Sequence, residues 1–165
     1  MMNTKNSLSA RDFIQKVFIE DTEKLVQQGF YHFAFVIMAQ GIEVLGSFLD
    51  EKPSKAREQS KLRFSHAINR LMPKQYGDLN NNHMFYEQLR ASMAHTLTVS
   101  RQIILTSKSN SELANKHLQK LDDQLVLVVE DFLTDFKKAC LRLFEGMDKG
   151  LISEKKINLE FYYTF

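Results

Sequence analysis

The stretch FYHFAFVIMAQGIEVLGSFLD, Phe30 to Asp50, limits what this chain can fold into more than any other. It is long enough to cross a bilayer, yet Gln40 and Glu43 fall near its middle and His32 at its start. A carboxylate at the centre of a membrane span costs about 3 kcal/mol. The segment therefore reads as the central helix of a soluble core, apolar nearly all round because neighbours cover it on most sides. Gly41 and Gly46 would let another helix approach its backbone. Glu43, inside such a helix, needs a cationic partner.

The chain has 165 residues, the size of one domain, and folding should bury roughly two-thirds of the surface exposed by the unfolded chain. Thirteen Phe, no Trp, six Gly and two Pro favour long packed helices over a turn-rich β protein. Apolar residues at helical spacing predict a first helix from about Ser9 to Gln28, with Ser9 as N-cap and Gly29 as a left-handed stop. After the central helix, Pro53 breaks the chain and Ser54 begins a third helix, striped by Phe64, Ala67, Ile68 and Leu71. Pro73 and Gly77 end it. The polar loop GDLNNN leads to a fourth helix, from about His83 to Leu97, with Phe85, Leu89, Ala94 and Leu97 on one side.

Beyond it the texture changes. RQIILTS is β-branched, and HLQKL-DD-QLVLV reads as two strands joined at Asp122 and Asp123. The helical period returns from about Val129, through Phe132, Phe136, Ala139, Leu143 and Met147, to Gly150. The expected fold is mainly α, a single domain over residues 1–165. It is a bundle of about five helices, with a small antiparallel β-hairpin or three-stranded sheet before the last long helix. The aromatic tail, with Phe161, Tyr162, Tyr163 and Phe165, is expected to pack on the domain or on a second subunit.

Several chemistries lack their residues. The only cysteine, Cys140, sits at an apolar helical position, which suits a buried small hydrophobe and precludes an intramolecular disulfide. MMNTKNSLSARD has no apolar core of a secretory signal, so a cytoplasmic location is expected. No phosphate-binding glycine loop, CxxC, HExxH or GxSxG occurs, and the histidines at 32, 66, 83, 95 and 117 include no i, i+4 pair. Neither a metal nor a cofactor is expected, and no membrane partner.

Two features remain. One is the segment FYEQLRASMAHTL, which places Arg90 five residues before His95. The other is a basic run. Lys52, Lys55, Arg57, Lys61, Arg63, Arg70 and Lys74 face a single acid, Glu58, in a chain whose formal net charge is only +2. Such a surface suits RNA phosphates, although an isolated charge run is also the ordinary solvated face of a helix. Tyr76 and Tyr86 lie close enough in sequence to the Arg90 segment to stack on a base, or to pack half-buried.

From GIEVLGSFLD through RFSHAINRLMP to FYEQLRASMAHTL, the chain resembles the HEPN superfamily (higher eukaryotes and prokaryotes nucleotide-binding), and within it a group of small bacterial HEPN-like proteins. The resemblance is firmest over residues 30–97. It implies a compact helical domain, and in its active members a metal-independent endoribonuclease carrying an Arg, four to six residues, then His. On this resemblance Arg90 and His95 are the catalytic pair, with Glu43, Ser92 and Tyr86 in support, and Lys55, Arg57, Lys61, Arg63 and Arg70 on the RNA. A toxin or defence role, with an antitoxin partner, belongs to the same implication. Active members commonly carry a polar residue directly after the arginine; here it is Ala91, with Ser92 the nearest polar substitute.

Geometry adds a condition. At about 100° per residue, positions five apart on a smooth helix diverge by roughly 140°. Arg90 and His95 therefore act together only if the helix is distorted or if a second copy brings its own pair, the homodimeric arrangement that the resemblance implies. The plainer alternative stays open: Arg90 neutralises Glu43, His95 hydrogen-bonds at the end of its own helix, and the chain is a non-catalytic scaffold that binds RNA, a nucleotide or a protein.

Overall fold

The computed structural model describes residues 9–156. The aromatic tail singled out above lies outside them. The chain starts with a long helical run made of α1 (Ala10–Phe13), a π-helical stretch (Ile14–Asp21) and α2 (Thr22–Gln27). Ser9 caps it, its Oγ accepting from the Asp12 N–H at 3.0 Å, and Gly29 at φ +80° turns the chain out of it. The central helix α3 (Tyr31–Ser47) follows, then α4 (Ser60–Arg70), α5 (Lys74–Leu79), a second π stretch (Tyr86–Ala91) continued by α6 (Ser92–Thr96), and the closing helix α7 (Val129–Asp148).

Between α6 and α7 lie β1 (Ile103–Thr106), β2 (Lys120–Leu121) and β3 (Gln124–Val128), in the order β1-β3-β2. β2 and β3 form the expected antiparallel hairpin, turned at Asp122 and Asp123, both with positive φ. β1, however, runs parallel to β3, so the sheet is mixed. The reason is connection length. Parallel neighbours need a crossover, and the residues between β1 and β2 are enough to supply one.

Two helical boundaries differ from expectation. α4 begins at Ser60 rather than Ser54, and residues 51–59 form a loop in which side chains engage the carbonyls of Lys52, Pro53 and Ser54. α4 does stop just ahead of Pro73, at Arg70, but Pro73 then opens a further short helix, α5, and Gly77 lies inside it rather than ending a helix. Pro73 stands at the N-cap of α5, ahead of the first turn, where a missing N–H costs nothing, and α5 places Tyr76 fully in the core.

The core is built around α3. Ala34, Phe35, Met38, Ala39, Ile42 and Leu45 are buried, and Phe132, Phe136, Ala139 and Leu143 of α7 line the same interior. Gly41 makes room for the Phe136 ring: a Cβ there would stand 2.6 Å from Phe136 Cζ. Gly46 admits α4 more tightly still. A Cβ at Gly46 would fall 1.9 Å from the carbonyl oxygen of Arg63, so the two backbones touch.

That contact also decides the fate of Arg63. Its side chain is 5% exposed and turns inward, Nε donating to Asp50 Oδ2 at 2.7 Å and Nη2 to Oδ1 at 3.1 Å. The remaining donors reach the carbonyls of Ser54 at 2.8 Å and Pro53 at 2.9 Å. Lys155 comes in from the far end of the chain, donating to Asp50 Oδ1 at 3.0 Å and to the Lys52 carbonyl at 2.6 Å. The expectation that Arg63 contacts RNA is thus corrected. Its planar fork is spent on one carboxylate and a loop backbone, the bidentate geometry that guanidinium suits best.

Gly46→Ala should destabilise the fold by about 3 kcal/mol, since the obstructing atoms are backbone and cannot swing away. Gly77→Ala, whose Cβ meets only the Asn69 side chain at 3.3 Å, should change the urea midpoint little, and equal losses from the two substitutions would contradict this account. A second expectation concerns acid. The hydrogen bonds from Arg63, working against the cost of burial, hold the Asp50 carboxyl well below the usual range, with Lys155 adding to the effect. A depressed folded-state pKa gives stability that is complete above about pH 4 and lost as pH falls through the depressed value. Asp50→Asn should therefore cost about 3 kcal/mol at pH 7, and its penalty should shrink as unfolding is measured at progressively lower pH.

Candidate functional site

The segment after His83 is helical but not smoothly so. Residues Tyr86–Ala91 wind as a π-helix before α6 resumes the ordinary pitch. The Ser92 Oγ donates to the Glu87 carbonyl, five residues back, at 3.1 Å. Thr22 does the same to Val17 at 3.1 Å beside the first π stretch. In both places a small hydroxyl satisfies a carbonyl left over when the backbone shifts to i→i+5 bonding. Ser92 is therefore occupied by its own helix.

Leu89 and Met93 anchor this segment in the core, which leaves Arg90 on the side facing α3. Arg90 Nε lies 2.5 Å from Glu43 Oε2, with the two side chains 18% and 20% exposed. The guanidinium also sits 5.7 Å from the centroid of the Tyr86 ring. The Nε–H does not point along the line to the carboxylate, so the pair is held by charge rather than by an aligned hydrogen bond. Glu43 Oε2 and Arg90 Nε remain without a hydrogen-bond partner, as does the buried Nε2 of Gln40, one turn away on α3. The ion pair compensates Glu43 and Arg90, which leaves the Gln40 amide nitrogen as the buried group with no partner among these three.

His95 is on α6, exposed, where the helix ends at Leu97 in the left-handed conformation. Among the described residues no hydrogen bond joins Arg90 to His95. The π stretch ends at Ala91, so nearly the whole interval between them has α pitch and the two side chains leave the segment in divergent directions. One copy therefore presents a held guanidinium and an exposed imidazole as neighbours on a surface, not as a contacting pair.

Tyr86 is half-buried, packed edge-on against Phe64, with Lys61 Nζ 5.8 Å from its centroid in addition to Arg90. Lys61 is itself paired with Glu87 at 2.5 Å. Lys55, Arg57 and Arg70 are exposed. Tyr76 is completely buried, which removes it as a stacking residue.

Tyr76 instead belongs to a polar network with no signature in the sequence. The Val128 N–H donates to His117 Nδ1 at 3.0 Å, which leaves the proton on Nε2. Nε2 donates to the Tyr76 hydroxyl oxygen at 2.9 Å, and that hydroxyl donates to Asp135 Oδ2 at 3.1 Å. Burial pushes the Asp135 carboxyl up, but the His117 ring, 3.8 Å away, together with the hydrogen bonds from Lys138 and Tyr76, outweighs it and holds the group below its ordinary value. The network joins α5, the hairpin and α7. Its one forewarning was Asp135, an acid between Phe132 and Phe136. Cys140 is buried, and burial pushes its thiol up to about 12, so it is no nucleophile.

No group of three or more His, Cys, Asp or Glu among the described residues is arranged to hold a metal ion, and no helix there is long and apolar enough to cross a membrane. Comparisons of the chain with protein-family models, with curated proteins and with solved structures give no match.

Removing Glu43 should expose the value of its pairing. Glu43→Ala leaves a partly buried guanidinium without its counter-charge, a loss of about 2 kcal/mol after allowance for solvent at the pair. The double variant Glu43→Ala, Arg90→Leu should recover much of it. An additive double-mutant cycle would mean that the two charges do not interact.

Proposed function

We propose that this chain is a metal-independent endoribonuclease of the HEPN type, acting as a homodimer in which Arg90 and His95 of each copy face one cleft. The observation that carries the reading is the placement of Arg90: held by Glu43 and the Tyr86 ring, five residues before an exposed His95. Phosphodiester cleavage by a 2′-hydroxyl needs one group that takes a proton and one that stabilises the charge of the phosphorane. Imidazole and guanidinium meet those needs without a metal. His95 would take the 2′-hydroxyl proton or give one to the leaving oxygen, leaving a 2′,3′-cyclic phosphate. Arg90, fixed at its Nε, would present its outer nitrogens to the phosphate.

Exposed apolar side chains on α3, which carries Glu43, and at the end of α6, which carries His95, support a dimer. Phe33 on α3 and Leu97 at the end of α6 are each 57% exposed, and α6 packs on α3. Large apolar side chains left exposed in this way are what a second copy would cover. Lys55, Arg57 and Arg70 would then guide the RNA by charge. A toxin or defence role, an antitoxin partner and a cytoplasmic setting belong to this proposal.

One observation favours a second reading. The charge of Arg90 is already balanced by Glu43, and Ala91 gives no polar neighbour to loosen it. In that reading the chain is a non-catalytic HEPN-like scaffold that binds RNA, a nucleotide or a protein.

Purified protein should cut single-stranded RNA in EDTA, and a substrate with deoxyribose at the cleaved position should resist. His95→Ala should lower the rate by about 100-fold or more while leaving the circular dichroism spectrum unchanged. Arg90→Ala should do likewise in rate. Equal activity of wild type and His95→Ala would assign the cleavage to another site, and an inactive wild type on a broad RNA panel selects the scaffold.

A further inference from the structure

The loop between α3 and α4 and the segment that follows α7 enclose a cleft of about 530 Å³ lined by Glu51, Lys52, Lys55, Lys155 and Lys156. Its floor is unusually firm for a loop. Arg63 clamps the carbonyls of Pro53 and Ser54, Lys155 holds that of Lys52, and both cations close on Asp50. Asp50 has a second bond to the loop, accepting from the Lys52 N–H at 2.8 Å.

The charge does not cancel. Asp50 and Glu51 are opposed by Lys52, Lys55, Arg63, Lys155 and Lys156, so five cations meet two carboxylates at one place. Asp50 is consumed by Arg63 and Lys155, and its carboxyl stays ionised for the reason given above. The Lys52 ammonium donates to the neutral amide of Gln59 at 2.7 Å. Among the described residues neither Lys55 nor Lys156 has a carboxylate within ion-pair distance. Like charges gathered on a concave wall focus a positive potential into the space between them. Two sequence-distant segments had to meet to make that wall, and Lys155 is spent on holding them together.

We infer that this cleft binds a chain of linked phosphates, through Lys52, Lys55 and Lys156, with Lys155 as the residue that shapes it. The compact ammonium group suits phosphate as a point charge, and the volume accommodates several phosphates rather than one. Linked phosphates come from two sources, a single nucleic-acid strand or a free oligophosphate, and the same lysines would meet either. The inference stands apart from Arg90 and His95, and it survives if the chain cuts nothing.

The test is binding, measured in EDTA on a His95→Ala chain so that no RNA is consumed. The probes are a fluorescent oligouridine strand and inorganic tripolyphosphate as competitor. The strand should bind with an affinity that falls as salt rises, and tripolyphosphate should displace it. The double variant Lys55→Gln, Lys156→Gln should bind about tenfold more weakly at low salt, with a log–log salt slope shallower by about 1.4. Arg101→Gln with Lys120→Gln removes the same charge elsewhere on the surface and should bind as the parent does. If both double variants weaken binding alike, only net charge matters and the cleft is refuted; unchanged binding in the cleft variant refutes it as well. A strand that binds and is not displaced by tripolyphosphate assigns the site to nucleic acid alone. Binding of neither probe overturns the inference. The two lysines are exposed and outside the Asp50 cluster, so the variant's thermal midpoint should match the parent's and serve as the folding control.

Discussion

The backbone contact between Gly46 and Arg63 is the constraint on which much of the rest depends. Helices normally meet through side chains at 8–10 Å between axes, and the absence of a Cβ at Gly46 lets α4 come closer. Bringing Arg63 that near to α3 puts its side chain within reach of Asp50, just past the helix end. The guanidinium then organises the loop it would otherwise have ignored. Lys155 docks on the same carboxylate, so the segment after α7 is tied to the end of α3 as well. One missing methyl thus leads to a fixed interhelical spacing, a pinned loop and a positively charged wall.

A second theme is how the fold treats buried polarity. Where a polar side chain lies among apolar ones, the structure usually completes its bonds. Thr22 and Ser92 return theirs to carbonyls released by π turns, and Tyr76, His117 and Asp135 satisfy one another across three elements. The exception is the face shared by Gln40, Glu43 and Arg90, where atoms are buried without hydrogen bonds. Glu43 and Arg90 are compensated there by opposite charge instead, and the Gln40 amide nitrogen carries the desolvation cost, on the order of 1–3 kcal/mol. The exception coincides with the Arg90–His95 segment, and this coincidence gives the proposed site its weight.

Most of the architecture was legible in the order of residues. Helical spacing identified α3, α7 and the first helical run, Ser9 and Gly29 marked the ends of the latter, and the β-branched patch announced the sheet. The need of Glu43 for a cation followed from one acid in an apolar helix, and Arg90 as that cation was the partner the resemblance suggested. The hidden parts were those with no local signal. The parallel pairing of β1 depends on which strand reaches it across a long connection. The π stretches depend on register within a packed segment. Residues 54–59 stay out of the helix expected from Ser54, and the start of their loop is held by Arg63 and by Lys155, 103 positions beyond Lys52.

Arg63 and Tyr76 mark the dividing line most clearly. In sequence, Arg63 is one of seven basic residues and Tyr76 an aromatic near a charged motif, and nothing adjacent tells either from its neighbours. In space, one is sealed against Asp50 and the other is the centre of a buried network. The sequence by itself determined which segments are helical, which faces are apolar and which acid must be neutralised, because those properties arise from side-chain periodicity and the cost of burying charge. Only the tertiary structure decided which cations are spent inside and which stay exposed, because that depends on how closely two backbones approach.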